Sequence, residues 1–166
     1  MGKQGTTVYT SGSWDLFHVG HLNVIRRSRA YGDKLVVGVS TDELVAAYKG
    51  TKPIIPYEER VAIVRSLAGV DTVVKQTILT DIRILKRHKI DVVTIGDDWR
   101  SKHLDGLEWM KENGKVVYLR YTPGVSTTGI KRNIIQNAYA LIHAELKREF
   151  QAADRWDRQQ ESGRGK

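Results

Sequence analysis

Short apolar runs alternate along the chain with segments in which apolar residues recur every three or four positions. Five short runs rich in apolar and β-branched residues predict strands, most of them buried; they are TTVYTSG, KLVVGVS, DTVVK, IDVVTIG and KVVYLR. The segments between these runs have the apolar spacing of helices; they are GHLNVIRRSRAYG, TDELVAAY, YEERVAIVRSLAG, DIRILKRHK and LDGLEWMKENG. A long last helix is predicted from Ser126 to about Trp156. Gly32 is expected to close the first helix, and Thr41 or Asp42 to cap the second. Strands that are apolar throughout are covered on both faces, so the pattern predicts an α/β fold with a doubly wound, parallel, five-stranded sheet.

Polar and small residues follow most of the predicted strands. The strand ends read TSGSWD, VSTDE, VKQT, IGDDW and RYTPGVSTT, and four of the five are rich in Gly, Ser, Thr and Asp. Ligands of open parallel sheets bind beyond the carboxyl ends of the strands. The chemistry of this protein is therefore expected on that side of the sheet.

Two histidines stand three residues apart where the first strand passes into the first helix, in SGSWDLFHVGHLN. A helix N-terminus carries unpaired N–H groups and partial positive charge, so His18, Gly20 and His21 suit a phosphate site. A metal site is the weaker interpretation, because a structural zinc site needs two more ligands, and the other histidines, His88, His103 and His143, lie in unrelated segments. The remaining interpretation is a polar pair at a helix start that binds nothing. Spacing alone does not decide between a phosphate site and that last case.

The composition narrows the class of protein. The chain has 166 residues, 40% of them hydrophobic, which fits one domain with a real core. No apolar run approaches 18 residues, and the N-terminus lacks a signal-peptide core, so neither a membrane span nor secretion is predicted. With no cysteine, disulfides and thiol catalysis are excluded. A cytoplasmic protein is the simplest interpretation.

The net charge of +8 leaves several partners open. A basic balance is typical of proteins that bind nucleic acid, an anionic membrane or a small anionic substrate. The basic residues are spread out, with no run of five or six, which favours a phosphate-rich small ligand over nucleic acid. A solvated basic surface without a specific partner is the alternative.

Five motifs occur in order: GSWDLFHVGHLN, GDKLVVGVSTDE, PYEER, IGDDW and GVSTT. Together they resemble the cytidylyltransferases of the HxGH nucleotidyltransferase superfamily, and most of all the glycerol-3-phosphate cytidylyltransferases, from about Thr7 to about Ile134. The resemblance implies a Rossmann-like fold and transfer of CMP from CTP, bound with Mg²⁺, to a small phosphorylated alcohol, giving a CDP-alcohol and pyrophosphate. The attacking phosphate is already anionic, so positioning and charge stabilisation would suffice. Three alternatives remain: another phosphate or phosphonate acceptor, ATP in place of CTP, or a nucleotide-binding protein without catalysis.

The resemblance also implies roles for individual residues. His18 and His21 would hold the triphosphate, Lys49 and Lys52 would close on it from a loop, and Arg60 would face the active site. The other implied residues bind the nucleotide. The backbone of Gly12, Ser13 and Trp14 would line it, with Gly20 beside them, and Asp15 would be structural or lie near the metal. The nucleoside end would be formed by Asp97, Asp98 and Trp99, and the start of the last helix would contribute Ser126, Thr127 and Thr128. No protein metal ligands are assigned.

Two departures from the family's pattern concern arginines. Tyr121 stands where the family's last motif has an arginine, and Pro123 replaces its glutamate; Ala68 and Gly69 occupy another place that carries an arginine in relatives. Arg120 and Tyr121 are therefore candidates for contact with the acceptor or a phosphate. Alternatively, Arg65, Lys131 or Arg132 could supply the positive charge that the missing arginines carry in relatives.

The expected organisation is a nucleotidyltransferase domain at residues 1–134, a helical extension at 135–160 packed on the same domain, and a polar tail at 161–166. The extension carries one broad apolar stripe, formed by Ile134, Ala138, Leu141, Ile142, Leu146 and Phe150. The stripe predicts a helix that packs on its own sheet or is shared across a dimer. Because relatives are commonly homodimers, a homodimer is expected; acidic residues on the polar face argue against a membrane-surface helix.

Overall fold

The computed structural model describes residues 5–163, with the side chains of residues 5–151. These residues form two compact units, divided after Thr127. The strands are β1 (Thr7–Gly12), β2 (Lys34–Ser40), β3 (Thr72–Gln76), β4 (Val92–Gly96) and β5 (Lys115–Leu119). The α-helices are α1 (Val19–Arg29), α2 (Asp42–Lys49), α3 (Tyr57–Arg65), α4 (Ile82–Arg87), α5 (Asp105–Asn113) and α6 (Thr127–Gly163), and a short 3₁₀ helix covers Asp97–Trp99.

The first unit contains a parallel five-stranded sheet in the order β3-β2-β1-β4-β5. The chain winds outwards from β1 in one direction through β3 and then returns to β4 on the other side of β1. A crevice therefore opens beyond the carboxyl ends of β1 and β4, where the winding direction reverses. The predicted Rossmann-like, doubly wound sheet is confirmed.

Both faces of the sheet are covered by apolar side chains. Val8 and Leu35 belong to the cluster on one face, whereas their chain neighbours Tyr9 and Val36 belong to the cluster on the other. Successive side chains of a strand point to opposite faces, so a strand covered on both sides is apolar at most of its positions. This packing explains why the strands read as runs rich in apolar residues.

Local hydrogen bonds set the starts of the helices. The Thr41 hydroxyl accepts from the Leu44 N–H at 3.2 Å, and the Asp81 carboxylate accepts from the Arg83 N–H at 2.9 Å. Both are N-cap contacts, which satisfy N–H groups that the first turn of a helix leaves unpaired. Of the two caps predicted for α2, Thr41 is the one that forms.

Two helices end earlier than the sequence segments predict. Helix α1 ends at Arg29, and Gly32 instead lies against the Thr6 carbonyl, so closely that an added Cβ would overlap it. That carbonyl also accepts from the N–H groups of Asp33 and Lys34, which starts β2 beside β1. Helix α3 ends at Arg65, where the Ser66 hydroxyl donates to the Ile63 carbonyl at 2.8 Å and competes with the helical pattern.

The second unit begins at Thr128 and is helical as far as the structure describes it. Helix α6 continues to Gly163, beyond the predicted end near Trp156. Large apolar side chains of its predicted stripe are exposed, among them Ile134, Leu141 and Phe150. Within residues 5–163, no helix is long and apolar enough to cross a membrane. The predicted packing of this helix stays a prediction.

Candidate active site

The loop from β1 to α1 is held in an uncommon backbone conformation. Trp14 and Leu16 have φ values of 54° and 45°, a region that bulky residues seldom adopt. The Trp14 side chain lies in the core, 2% exposed, and its indole N–H donates to the Gly38 carbonyl of β2 at 2.9 Å. Burial of this ring fixes the loop, so that Gly12 and Ser13 line the crevice.

Asp15 joins this loop to the one that follows α2. Its carboxylate is buried, and Oδ1 accepts from the backbone N–H groups of Ile54 and Ile55, both at 3.0 Å. Hydrogen bonds from backbone N–H groups to a carboxylate are stronger than neutral ones. Asp15 therefore has a structural role, one of the two roles expected for it.

His18 caps the first turn of α1. Its Nδ1 accepts from the Gly20 N–H at 3.1 Å, and an added Cβ at position 20 would overlap the His18 ring, which explains the glycine. With Nδ1 as an acceptor, the proton of the neutral ring is on Nε2. Nε2 lies 3.5 Å from the Thr127 hydroxyl, which donates to the Asp15 carbonyl at 3.1 Å. Burial lowers the pKa of His18.

His21 stacks on His18, with ring centroids 3.9 Å apart and ring planes inclined by 18°. Burial above all, and then the positive charges of His18 and Lys49, lower the pKa of His21 to about 3, although Asp15 acts in the opposite direction. The ring is therefore neutral at pH 7. Its Nδ1 is buried without a hydrogen-bond partner in the described structure. A buried N–H without a partner is rarer than an unpaired acceptor, so we assign the proton to Nε2.

The two lysines of the loop occupy different positions. Lys49 ends α2, and its ammonium group lies 3.2 Å from the Ser13 hydroxyl and 5.6 Å from the centre of the Tyr48 ring. This contact brings its charge to the crevice. Lys52 is exposed farther along the loop and does not line the crevice.

Arg60 is fully buried on α3. Its guanidinium donates to the carbonyls of Ser13, Ser40 (2.8 Å) and Ile55 (2.9 Å), and it pairs with the Asp42 carboxylate. The guanidinium thus lies behind the wall of the crevice and joins the ends of β1 and β2 to the loop before α3. A catalytic role for Arg60 stays a prediction, and these contacts favour a positioning role.

The crevice encloses a cleft of about 190 Å³. Seven residues named from the sequence line it: Gly12, Ser13, His21, Lys49, Asp98, Trp99 and Tyr121. Others lie beside it or support it, as described above for Trp14, Asp15, His18, Gly20, Arg60 and Thr127. Asp97 is exposed, Ser126 precedes α6, and Thr128 belongs to the second unit.

Five cleft residues were missed by the sequence reasoning: Ser11, Ser40, Tyr48, Gln76 and Leu79. Gln76 ends β3 and is buried, with its side-chain oxygen 3.3 Å from the Tyr9 hydroxyl. Its place at the carboxyl end of a strand was the signal that could have identified it. Tyr48 packs edge-on against Trp99 with centroids 6.0 Å apart, and burial raises its pKa against the effect of hydrogen bonds with Ser40 and Ser13.

The segment after β5 forms the far side of the cleft. Arg27 donates to the Arg120 carbonyl at 2.9 Å, and Asn23 donates to the Thr122 hydroxyl at 3.2 Å, so α1 holds this segment on both sides of Tyr121. Burial, followed by the negative charges of Asp98 and Asp97, raises the pKa of Tyr121. A neutral phenol therefore lies where the resembling motif has an arginine.

Residues 9–133 match the family described as Cytidylyltransferase-like. The chain belongs to this family. The glycerol-3-phosphate cytidylyltransferase of Bacillus spizizenii is 38% identical over 128 residues, which cover 76% of this chain and 95% of that protein. The protein of the same name from Staphylococcus aureus is 34% identical over 128 residues, which cover 76% of this chain and 93% of that protein. The bifunctional protein HldE of Shewanella sediminis is 36% identical over 132 residues, 78% of this chain and 28% of that protein.

Solved structures show the same fold. The lipopolysaccharide core biosynthesis protein of Thermoplasma volcanium GSS1 superposes with a TM-score of 0.57 at 25% identity, covering 72% of this chain and 98% of that one. A putative nicotinate-nucleotide adenylyltransferase of Vibrio parahaemolyticus superposes with a TM-score of 0.53 at 15% identity, covering 80% of this chain and 88% of that one. This similarity concerns the fold alone. The cytidylyltransferase-like match includes every residue that lines the cleft.

Proposed function

We propose that the protein is a nucleotidyltransferase that transfers CMP from CTP to a small phosphorylated alcohol, such as glycerol 3-phosphate, and releases pyrophosphate. The observation that carries the proposal is the stacked pair of His18 and His21 at the N-terminus of α1, beside the crevice of a cytidylyltransferase-like chain. Relatives that bear the name glycerol-3-phosphate cytidylyltransferase cover most of the chain at 34% to 38% identity.

In the proposed reaction, a phosphate oxygen of the acceptor forms a bond to the α-phosphorus of CTP, and the bond from that phosphorus to the bridging oxygen of pyrophosphate breaks. The attacking phosphate is already ionised at pH 7, so no protein base removes a proton. The protein would act by positioning the reactants and by donating hydrogen bonds to the phosphorus oxygens. The Nε2–H groups of His18 and His21, the N-terminus of α1 and the Lys49 ammonium are the donors for that task.

Mg²⁺ fits this site as a partner of the nucleotide. Across the described residues, no group of three or more His, Asp or Glu side chains could hold a metal ion by itself. Mg²⁺ commonly binds through substrate phosphates with few protein ligands, and it would supply positive charge to the triphosphate. The protein's own contribution is the Lys49 charge beside Ser13.

The nucleoside would lie towards Asp98 and Trp99, which line the cleft together with His21. A second candidate uses ATP, or a different phosphate or phosphonate acceptor. The neutral Tyr121 in place of an arginine is the observation that favours it.

We also propose that the enzyme is a cytoplasmic homodimer. The exposed apolar side chains of α6 support self-association, because apolar patches of this kind often mark interaction sites. Analytical ultracentrifugation tests the dimer, and a single monomeric species at micromolar concentration would contradict it.

The reaction is tested by pyrophosphate release with each of four nucleoside triphosphates and a panel of phosphorylated alcohols. Turnover with CTP, lost in His18→Ala and retained in His88→Ala, is the expected result; His88 ends α4 and does not line the cleft. Turnover with ATP alone would select the second candidate. Folded protein that turns over no pair of substrates would refute both.

A further inference from the structure

Three uncharged polar side chains stand together at the carboxyl ends of neighbouring strands. Ser11 of β1 pairs in register with Gly38 of β2, and Ser40 of β2 pairs with Gln76 of β3. Paired residues of parallel strands point to the same face of a sheet, as do residues two apart in one strand. Ser11, Ser40 and Gln76 therefore share one face, and all three line the cleft.

Gln76 is held in place by a hydrogen bond beneath the cleft. The residue is 1% exposed, and its Oε1 lies 3.3 Å from the hydroxyl of Tyr9, which is completely buried. Burial raises the pKa of Tyr9, although a hydrogen bond with Ser11 acts in the opposite direction, so the phenol keeps its proton. A buried hydroxyl needs an acceptor, and Oε1 supplies it. Tyr9 thus fixes which end of the Gln76 amide faces it.

Gly38 makes room for this contact. An added Cβ at position 38 would overlap the Tyr9 hydroxyl and crowd Oε1 of Gln76. Glycine weakens the interior of a strand, and it often marks a place where other groups approach closely. Its position in the middle of β2 is explained by the phenol and the amide that meet above it.

The orientation leaves Nε2 as the donor end of Gln76. With Oε1 turned to Tyr9, the two N–H bonds of Nε2 point elsewhere, and no residue that the structure describes accepts from them. An amide N–H inside a protein is costly when nothing accepts from it. Because Gln76 lines the cleft, a substrate oxygen there can provide the acceptor.

The amide and the histidines approach the cleft from opposite faces of the sheet. His21 contacts the rings of Trp14 and Phe17, which belong to the apolar cluster on one face. Tyr9, which orients Gln76, belongs to the cluster on the other face. The group that Gln76 binds is therefore expected to be a different part of the substrates from the phosphate at His21.

The strand order separates the acceptor from the nucleoside. Asp98 and Trp99, proposed above for the nucleoside, follow β4, which lies on the other side of β1 from β2 and β3. We infer that Nε2 of Gln76 donates a hydrogen bond to a hydroxyl oxygen in the alcohol part of the acceptor, and that Tyr9 is a positioning residue for this contact. A hydroxyl accepts from the amide and can donate in turn to the oxygen of Ser40. The inference rests on the proposed function, because it takes a phosphorylated alcohol as the acceptor.

Gln76→Met tests the contact, since methionine has a similar length and no N–H. The acceptors are glycerol 3-phosphate and its two monodeoxy analogues, the monophosphates of 1,2-propanediol and 1,3-propanediol. The variant should raise KM for glycerol 3-phosphate about fivefold, the effect of one neutral hydrogen bond, with kcat and KM for CTP nearly unchanged. The wild type should show the same increase with one of the two analogues. The variant should show no further increase with that analogue.

Thr94→Val is the matched control, because Thr94 is also buried and hydrogen-bonded on a strand but does not line the cleft. Its KM values should equal those of the wild type. Tyr9→Phe frees the amide to present either end, so KM for glycerol 3-phosphate should rise about twofold, without a change for the analogue that lacks the contacted hydroxyl.

An equal rise of KM for all three acceptors in Gln76→Met would indicate a structural role and overturn the inference, as would a rise confined to CTP. If Gln76→Met does not fold, the wild type and Tyr9→Phe decide. Equal KM values of the wild type for the three acceptors would overturn the inference.

Failure of the proposed reaction gives a different result. If glycerol 3-phosphate and CTP do not turn over, calorimetry measures binding of each acceptor in the presence of CTP. Glycerol 3-phosphate binding that Gln76→Met weakens about fivefold, with binding of one analogue unchanged, keeps the contact and refutes only the reaction. No binding by the wild type, or equal binding of all three acceptors, refutes the contact as well.

Discussion

Replacing Arg60 by methionine should destabilise the first unit strongly. The guanidinium is fully buried and donates to three backbone carbonyls, those of Ser13, Ser40 and Ile55, besides pairing with Asp42. Methionine fills much of the volume but donates to none of them. Each buried acceptor left unpaired costs about 1–3 kcal/mol, while Asp42, whose side chain is 28% exposed, can be rehydrated.

The expected loss is about 3–5 kcal/mol of unfolding free energy, the usual range when one partner of a buried charged network is removed. Such a loss is a large part of the roughly 5–15 kcal/mol by which native proteins are stable. Urea unfolding followed by circular dichroism measures it as a lower midpoint at an unchanged slope. Arg60→Lys keeps the charge but cannot reach three carbonyls with one ammonium group, so an intermediate loss is expected.

Arg65→Met is the matched control, because Arg65 is exposed on the same helix and should change stability by no more than about 0.5 kcal/mol. Activity at low temperature separates the two roles for Arg60. A positioning residue loses activity in step with stability, and cooling restores part of both. An Arg60→Met variant within about 1 kcal/mol of the wild type would refute the reasoning from its buried contacts.

Three further predictions concern single side chains. The folded-state pKa of His21 is lowered to about 3, so folding that keeps His21 neutral is fully favourable above the unfolded pKa of about 6.5, and this stability is lost as the pH falls towards 3. His21→Asn should therefore make the urea midpoint depend less on pH between pH 6.5 and 4, and an unchanged dependence would contradict the assignment. Thr41→Ala removes the cap of α2 and should cost about 1 kcal/mol in the same assay, with Thr41→Ser restoring most of it. Tyr121→Arg adds a positive charge beside the cleft and should lower KM for CTP several-fold at low salt, an advantage that 0.5 M salt should largely screen; a gain that salt leaves unchanged would point to packing instead.

Much of the fold could be predicted because the sheet is covered on both faces. Continuous apolar strands such as β2, where Leu35 and Val36 enter different clusters, leave a pattern that periodicity detects. The HxGH segment could be placed at the carboxyl edge of the sheet because strand ends and helix starts lie together in this topology. The helix boundaries at Arg29 and Arg65 were not predictable, since contacts of Thr6 and Ser66 decide them.

The position of Arg60 shows what the sequence lacks. An arginine in a helix start is usually read as a surface or active-site charge, because arginine is seldom fully buried. Its burial here depends on carbonyls from three separate segments that only the tertiary fold brings together.

The two stacked histidines have a consequence for turnover. Both rings are held neutral, so in the proposed reaction they would bind phosphate through the direction of their N–H bonds, and the positive charge would come from Lys49, which lines the cleft. The Mg²⁺ that is expected with CTP would add positive charge to the triphosphate. Because neither histidine has to change its protonation state, the pair needs no separate protonation step to begin the next cycle.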